Sequence, residues 1–233
     1  MEKRSRHEYK FEIDACDIVL LSARLDRIMQ KDPHVGGQGY YQIRSVYFDD
    51  FADTCYRQNE AGCDPRAKYR IRIYNASDAR IMLEKKVKQN GMTRKYAAPL
   101  TRGQAQQLIE GRLLPMKKED LEAYPPLLAQ FLVLMATRHM QPKVIVSYER
   151  IPYVDPRGNV RVTFDRNIAA SQSFSRFFEK DLPKEPVLSP GRHLLEVKYD
   201  QFLPVEIRKQ LDIGHLRQTT FSKYYLCRKR KKR

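Results

Sequence analysis

The sequence predicts an α+β fold: a closed antiparallel β-barrel of about eight strands with a few flanking helices. Three observations lead there. Segments of period-two alternation outnumber helical ones along the 233 residues. Glycine, proline and asparagine turns separate those segments at the short intervals of antiparallel hairpins. The strands also share one peculiarity, an apolar face backed by a face of mostly cationic charge, and a barrel whose charged faces point inward accounts for that repetition.

In chain order, RHEYKFEI (6–13) sets Arg6, Glu8, Lys10 and Glu12 against His7, Tyr9, Phe11 and Ile13. Residues 17–30 carry Ile18, Leu21, Leu25, Ile28 and Met29 at helical spacing, with Asp17 as the cap. The turn HVGGQGY leads into a strand at 43–50 rich in β-formers. AKYRIRIY (67–74) alternates Lys68, Arg70 and Arg72 with Tyr69, Ile71 and Ile73. IMLEKKVK (81–88) sets Met82, Glu84, Lys86 and Lys88 against Ile81, Leu83, Lys85 and Val87. Asn90-Gly91 then signals a hairpin into MTRKYAAPL.

Helices are expected at 101–113 and at 124–139, the latter starting after its prolines. Strands follow at 143–151, 159–167 and 193–200, and a short amphipathic helix at 204–212. No internal repeat and no apolar-poor linker divides the chain, so one domain is expected over 1–226, followed by a basic, solvated and disordered tail at 227–233.

The formal net charge is +16, and six of the cations stand in the tail RKRKKR. Such a balance calls for an anionic partner: nucleic acid, a membrane surface or a polyphosphorylated small molecule. No apolar run approaches the ~20 residues of a membrane span, and MEKRSRHEYKFEID lacks the apolar core of a signal peptide. A cytoplasmic protein with reduced thiols is expected, its four scattered cysteines forming neither a CxxC nor a zinc pattern. GxxxxGK[ST], GxSxG and HExxH are all missing, and the five histidines show no ligand spacing.

For any one strand, a charged face is simply a solvated one. Repeated across strands, the cationic positions instead describe a lumen that is costly if empty, because buried unpaired cations are expensive. An anion of high charge density satisfies it, and a phosphate chain offers many oxygens to arginine forks and lysine ammoniums. The few carboxylates would hold a divalent cation bridging the phosphates.

HEYKFEI, YRIRIY, LEKKVK, SYERIPYVD, VRVTFDRNI, LLEVKYD and FSKYY occur in that order. In this the chain resembles the VTC-type polyphosphate polymerase domain of the triphosphate tunnel metalloenzymes, from about residue 4 to residue 226. The resemblance implies an eight-stranded antiparallel tunnel that binds ATP or another triphosphate. It further implies transfer of the γ-phosphate to a growing inorganic polyphosphate chain with Mn²⁺ or Mg²⁺. Nucleic acid is not expected as a partner.

Carried over residue by residue, the resemblance gives Arg70, Arg72, Lys86, Arg161 and Lys198 as the catalytic cations. Lys10, Lys95, Arg150, Ser222 and Lys223 become further phosphate contacts. Glu196 becomes the metal-binding carboxylate, and Glu84 a metal or lysine-orienting one. TRKY offers both Arg94 and Lys95 for one position, with opposite parity. Arg150 shares parity with Val146 and Tyr148, the expected apolar face, and reaches a lumen only if a bulge or strand end re-aims it. Thr220 stands where the tail motif has a further lysine.

Hydrolases of the related CYTH branch open with Glu-x-Glu-x-Lys, whereas this chain has Arg6-x-Glu8-x-Lys10. The missing first carboxylate favours the polymerase branch. Two alternatives stay open: a tripolyphosphatase or nucleoside triphosphatase, and a non-catalytic module for RNA, polyphosphate or an inositol polyphosphate.

Overall fold

The structure is a computed structural model that describes residues 6–90 and 92–232. The first five residues read for a leader, Gly91 of the expected hairpin turn and Arg233 of the tail lie outside it. No helix among the described residues is long and apolar enough to cross a membrane.

The chain forms β1 (His7–Asp14), α1 (Ala15–Leu25), β2 (Gln30–Lys31), β3 (Tyr41–Asp49), α2 (Thr54–Glu60), β4 (Arg66–Tyr74), β5 (Ser77–Gln89) and β6 (Met92–Pro99). There follow α3 (Arg102–Ile109), α4 (Lys118–Ala123), α5 (Pro126–Arg138), β7 (Gln141–Asp155), β8 (Val160–Ser171), β9 (Glu185–Pro186), β10 (Arg192–Tyr199), α6 (Val205–Leu211) and α7 (Lys223–Lys232). The α+β class and the antiparallel strands are as expected.

Closure is not. The strand order is β1-β10-β8-β7-β3-β4-β5-β6, and the two-residue strands β2 and β9 bring the sheet to ten. The eight long strands correspond to the eight expected segments, but among the described residues β1 and β6 end the path without pairing each other. The outer edge of β1 has another partner. Thr219 N donates to Lys10 O at 2.8 Å, and Gln218 bridges Phe11. At Lys10 and Phe11, then, the chain itself takes part of that edge.

The fold divides into two compact units. Residues 6–42, 148–168 and 186–222 make the first. There β1 pairs β10 along its whole length, from His7 with Tyr199 to Asp14 with Arg192, and β10 pairs β8. Ile13, Phe164, Leu195 and Val197 on the strands meet Leu21, Leu25 and Ile207 from α1 and α6 in one core. Helix α1 starts two residues before expectation because Asp14, not Asp17, is its cap. Asp17 N donates to Asp14 at 2.8 Å while Asp17 accepts from Asp14 N at 3.1 Å, a capping box. The helix ends at Leu25, whose carbonyl takes the N–H groups of both Ile28 and Met29 in a closing turn.

The second unit comprises residues 43–147, 169–185 and 223–232. Its strands β3 to β6 pair in sequence order. Their odd-numbered side chains on β4 and β5 (Tyr69, Ile71, Ile73, Ile81, Leu83) pack against Leu108, Leu128, Phe131 and Leu132 of α3 and α5. The alternation of AKYRIRIY is therefore real: even positions stand on the face away from this core.

The C-terminal basic run is not a disordered tail. Its described residues, 228–232, form the second half of α7, which is held in the second unit by Tyr224, whose hydroxyl donates to Asp49 at 2.6 Å, and by the stacking of Tyr225 on Tyr56.

Candidate functional site

In the second unit, strand register lines the even positions into rows. Lys68 on β4 stands opposite Lys86 on β5, which stands opposite Lys95 on β6. In the next row Tyr47 on β3 faces Arg70, and Arg70 faces Glu84. In the third, Ser45 faces Arg72. Lysines directly opposite one another repel, so the first row is destabilising on its own.

Glu84 offsets part of that charge. Arg70 Nε donates to Glu84 Oε2 at 2.7 Å, with Nη2 2.6 Å from the same oxygen, and Lys95 reaches Oε1. Burial works against ionisation of Glu84, but Arg70, Arg72 and Lys95 outweigh it and hold the carboxyl down at about 2. Arg72 is buried and donates from Nε to Ser45 Oγ at 3.1 Å. Arg70 Nη1 donates to the Tyr47 hydroxyl at 2.8 Å. Burial of that phenol opposes its ionisation, yet Arg70, Arg72 and Lys223 lower its pKa from the ordinary tyrosine value. Lys223, the first residue of α7, thus acts electrostatically on this cluster, and its neighbour Tyr224 packs its ring 5.0 Å from that of Tyr47. Lys95 rather than Arg94 shares its face, since Arg94 is in register with Val87.

The first unit carries a second cluster. Glu196 on β10 is buried, with Lys198 Nζ at 2.8 Å, Arg150 Nη2 at 3.5 Å and Lys10 Nζ at 3.8 Å. Lys10 also lies 2.7 Å from Glu8. Arg150 grips Asp165, its Nε and Nη2 each donating at 2.7 Å to one carboxylate oxygen. Burial lowers the Lys198 ammonium below the ordinary lysine range, against the pull of Glu196 and Glu8 and helped by repulsion from Arg150.

Arg150 needs no bulge to arrive there. The core takes the odd side chains of β7, Ile151 and Tyr153, while Val146 and Tyr148 are buried on the face that Arg150 shares. The sequence parity was inverted because β7 is buried on both sides.

Arg161 is opposite Lys198 by register but turns to Asp32, to which its Nη2 donates. His34 secures that carboxylate, its backbone N donating at 3.0 Å and its ring Nδ1 lying 2.7 Å away. Burial opposes ionisation of Asp32, but the His34 hydrogen bonds and Arg161 outweigh it and lower its pKa. Ser222 is half-buried immediately before α7.

Several residues of these clusters escaped the sequence reading as site residues, among them Glu8, Asp32, Ser45, Tyr47, Lys68, Thr163 and Asp165. Thr163 lies between Arg161 and Asp165 on β8, opposite Glu196, is 2% exposed, and its hydroxyl has no hydrogen-bond partner among the described residues. Only the alternation of VRVTFDRN hinted at its placement.

Among the described residues, no three His, Cys, Asp or Glu side chains gather into a metal cage. Lys10 links Glu8 and Glu196, and these two carboxylates suit a Mg²⁺ or Mn²⁺ that brings phosphate oxygens for the rest of its shell. The neighbours of Glu84 are Arg70, Arg72 and Lys95, a setting that suits orienting cations better than capturing a metal.

The chain matches the family described as "VTC domain" over residues 5–230. No match was found among curated proteins. Of solved structures, it is similar to a putative adenylyl cyclase from Hippeastrum said to have a dominant triphosphatase activity. That likeness has 14% identity, covers 97% of this chain and 95% of that one, and has a TM-score of 0.52. A putative adenylate cyclase from Bacillus halodurans is also 14% identical, covering 85% and 82% with a TM-score of 0.49. At such identity the Hippeastrum likeness speaks for fold alone. The family match, spanning every residue that builds the two charged clusters, is the decisive one: the chain belongs to the VTC domain family.

Proposed function

We propose that the protein is a metal-dependent polyphosphate polymerase that moves the γ-phosphate of ATP onto an inorganic polyphosphate chain. The observation that carries this reading is the row Lys68, Lys86 and Lys95, flanked by Arg70 and Arg72. Glu84 takes Arg70 and Lys95 and Asn59 takes Lys68, yet the face stays strongly cationic, and a chain of phosphates suits such a row of positive charge.

In this reading the attacking group is a terminal phosphate oxygen of the chain, anionic near neutral pH, so no strong general base is required. Its new bond to the γ-phosphorus forms as the bond from that phosphorus to the β,γ-bridging oxygen breaks, and ADP leaves with the electron pair. Phosphoryl transfer is chiefly positioning and charge neutralisation. Arg70, Arg72, Lys86, Arg161 and Lys198 supply the neutralising cations. Glu84 orients Arg70 and Lys95, and Asp165 orients Arg150. Lys10, Lys95, Arg150, Ser222 and Lys223 add contacts to phosphate oxygens.

Glu196, with Glu8 beside it, would hold Mn²⁺ or Mg²⁺, which supplies further neutralisation of the phosphate oxygens when bound. Arg6, standing where the hydrolase motif has glutamate, pairs with Asp200 at 2.8 Å and adds no carboxylate.

Phosphorus NMR of the protein with ATP and Mn²⁺ tests the proposal. Resonances of interior chain phosphates alongside ADP are expected; orthophosphate as the sole new product would identify a triphosphatase instead.

A further inference from the structure

Helix α7 gathers more positive charge than its unit neutralises. Arg228, Lys229, Arg230, Lys231 and Lys232 follow one another in its last turns. Asp53 takes three cations at once: Arg228 at 2.6 Å, Lys232 at 2.7 Å and Lys143 at 3.4 Å. Glu185 takes Lys231, with Arg230 at 3.9 Å. Cations near a helix C-terminus complement the macrodipole, but that effect fades within the last turn and does not call for five in a row. Lys229 and Arg230 are exposed.

The same helix begins at Lys223, beside Tyr224, which packs 5.0 Å from the Tyr47 ring that Arg70 bonds. At 3.6 residues per turn and 1.5 Å per residue, Arg230 comes back to the face of Lys223 about 10.5 Å further along the axis, with Lys229 next to it. A phosphate group at Lys223 and a second anionic charge at Lys229 and Arg230 therefore match one flexible, linear polyanion lying along the helix.

Two observations favour polyphosphate over single-stranded nucleic acid as that polyanion. Its charge repeats at every unit with no base to accommodate. The aromatic rings at this surface, Tyr56 and Tyr225, are stacked on each other at 5.1 Å, and Lys229 and Lys232 lie over them at 5.8 and 4.4 Å. Rings already engaged with each other and with lysines make a poor stacking platform for bases.

We propose that the exposed cations of α7 form a landing surface for linear polyphosphate, continuing outward from Lys223. This rests on the polyphosphate reading given above, and extends it to a site outside the strand clusters.

The test compares the full chain with its Lys229→Gln/Arg230→Gln variant, both exposed positions whose replacement leaves the core and the strand clusters untouched. Binding of long-chain polyphosphate, tripolyphosphate and a single-stranded RNA is measured by calorimetry over a series of salt concentrations. The variant is expected to bind long-chain polyphosphate about tenfold more weakly, with a salt slope smaller by about two, and tripolyphosphate unchanged. Unchanged long-chain affinity in the variant overturns the surface while leaving the polymerase reading intact, as does an equal loss for tripolyphosphate. RNA bound as tightly as polyphosphate overturns the choice of partner. A wild-type protein that binds neither phosphate ligand overturns the polyphosphate reading and this surface together.

Discussion

Arg150 and Asp165 form a two-pronged ion pair, with both donor-acceptor distances 2.7 Å and both side chains withdrawn from water. The geometry leaves Arg150 Nη1 outside the pair and directs Nη2 also toward Glu196, 3.5 Å away. Asp165 therefore aims a guanidinium, and its contribution to function passes through Arg150.

Breaking that pair on one side strands a buried charge. Asp165→Asn is expected to cost about 3–5 kcal/mol in urea unfolding, and Arg150→Met a similar amount. The double variant Arg150→Met/Asp165→Leu is expected to recover much of this, giving a large coupling energy. Simple additivity of the two single effects would show that the pair is not formed.

Glu84 makes stability depend on acid. Its folded carboxyl lies at about 2 against an ordinary 4.5, so its ionised form stabilises the fold fully above about 4.5. As pH falls through that value to about 2, the contribution, at most roughly 3 kcal/mol, is lost. Melting curves of wild type and Glu84→Gln should converge over that window. A constant gap between them would place the cause elsewhere.

Much of this was legible in the sequence, and where it was not the reasons are physical. The alternation in β4 and β5 placed Lys68, Arg70, Arg72, Glu84 and Lys86 correctly, because one face packs on helices and the other does not. β7 carried no such contrast, since Val144 and Val146 are as buried as Ile145 and Tyr153, and Arg150 was set on the wrong face. The hold of Asp32 on Arg161 joins residues 129 apart, a pairing no local pattern reveals. Helix α2 was missed because its opening N–H groups bond to the side chains of Asp49 and Asp50 rather than to a cap of its own. Barrel closure failed at β1, whose free edge takes the 218–219 segment, and nothing in the alternation of β1 announces that partner.

Thr163 offers a change of opposite sign. Its buried hydroxyl has no partner among the described residues, and valine has the same shape. Thr163→Val is expected to raise stability by about 1 kcal/mol in thermal or urea unfolding. A loss of that size would show that the hydroxyl is hydrogen-bonded after all.

Arg72 is the buried guanidinium of the first cluster described, held by Ser45. Arg72→Ala should weaken tripolyphosphate binding about 10- to 100-fold, the worth of a charge-assisted hydrogen bond or two. Calorimetry reads this directly. Arg72→Lys, which keeps the charge without the fork, should fall between the two.

The central claim is phosphoryl transfer to a polyphosphate chain. Its most direct test is incubation of the purified protein with ATP and Mn²⁺, followed by separation of polymer, ADP and free phosphate, with Glu196→Gln and Arg72→Ala beside the wild type. Polymer with matching ADP, absent in both variants, is the predicted result. Free phosphate without polymer, or no turnover while tripolyphosphate still binds tightly, would contradict it.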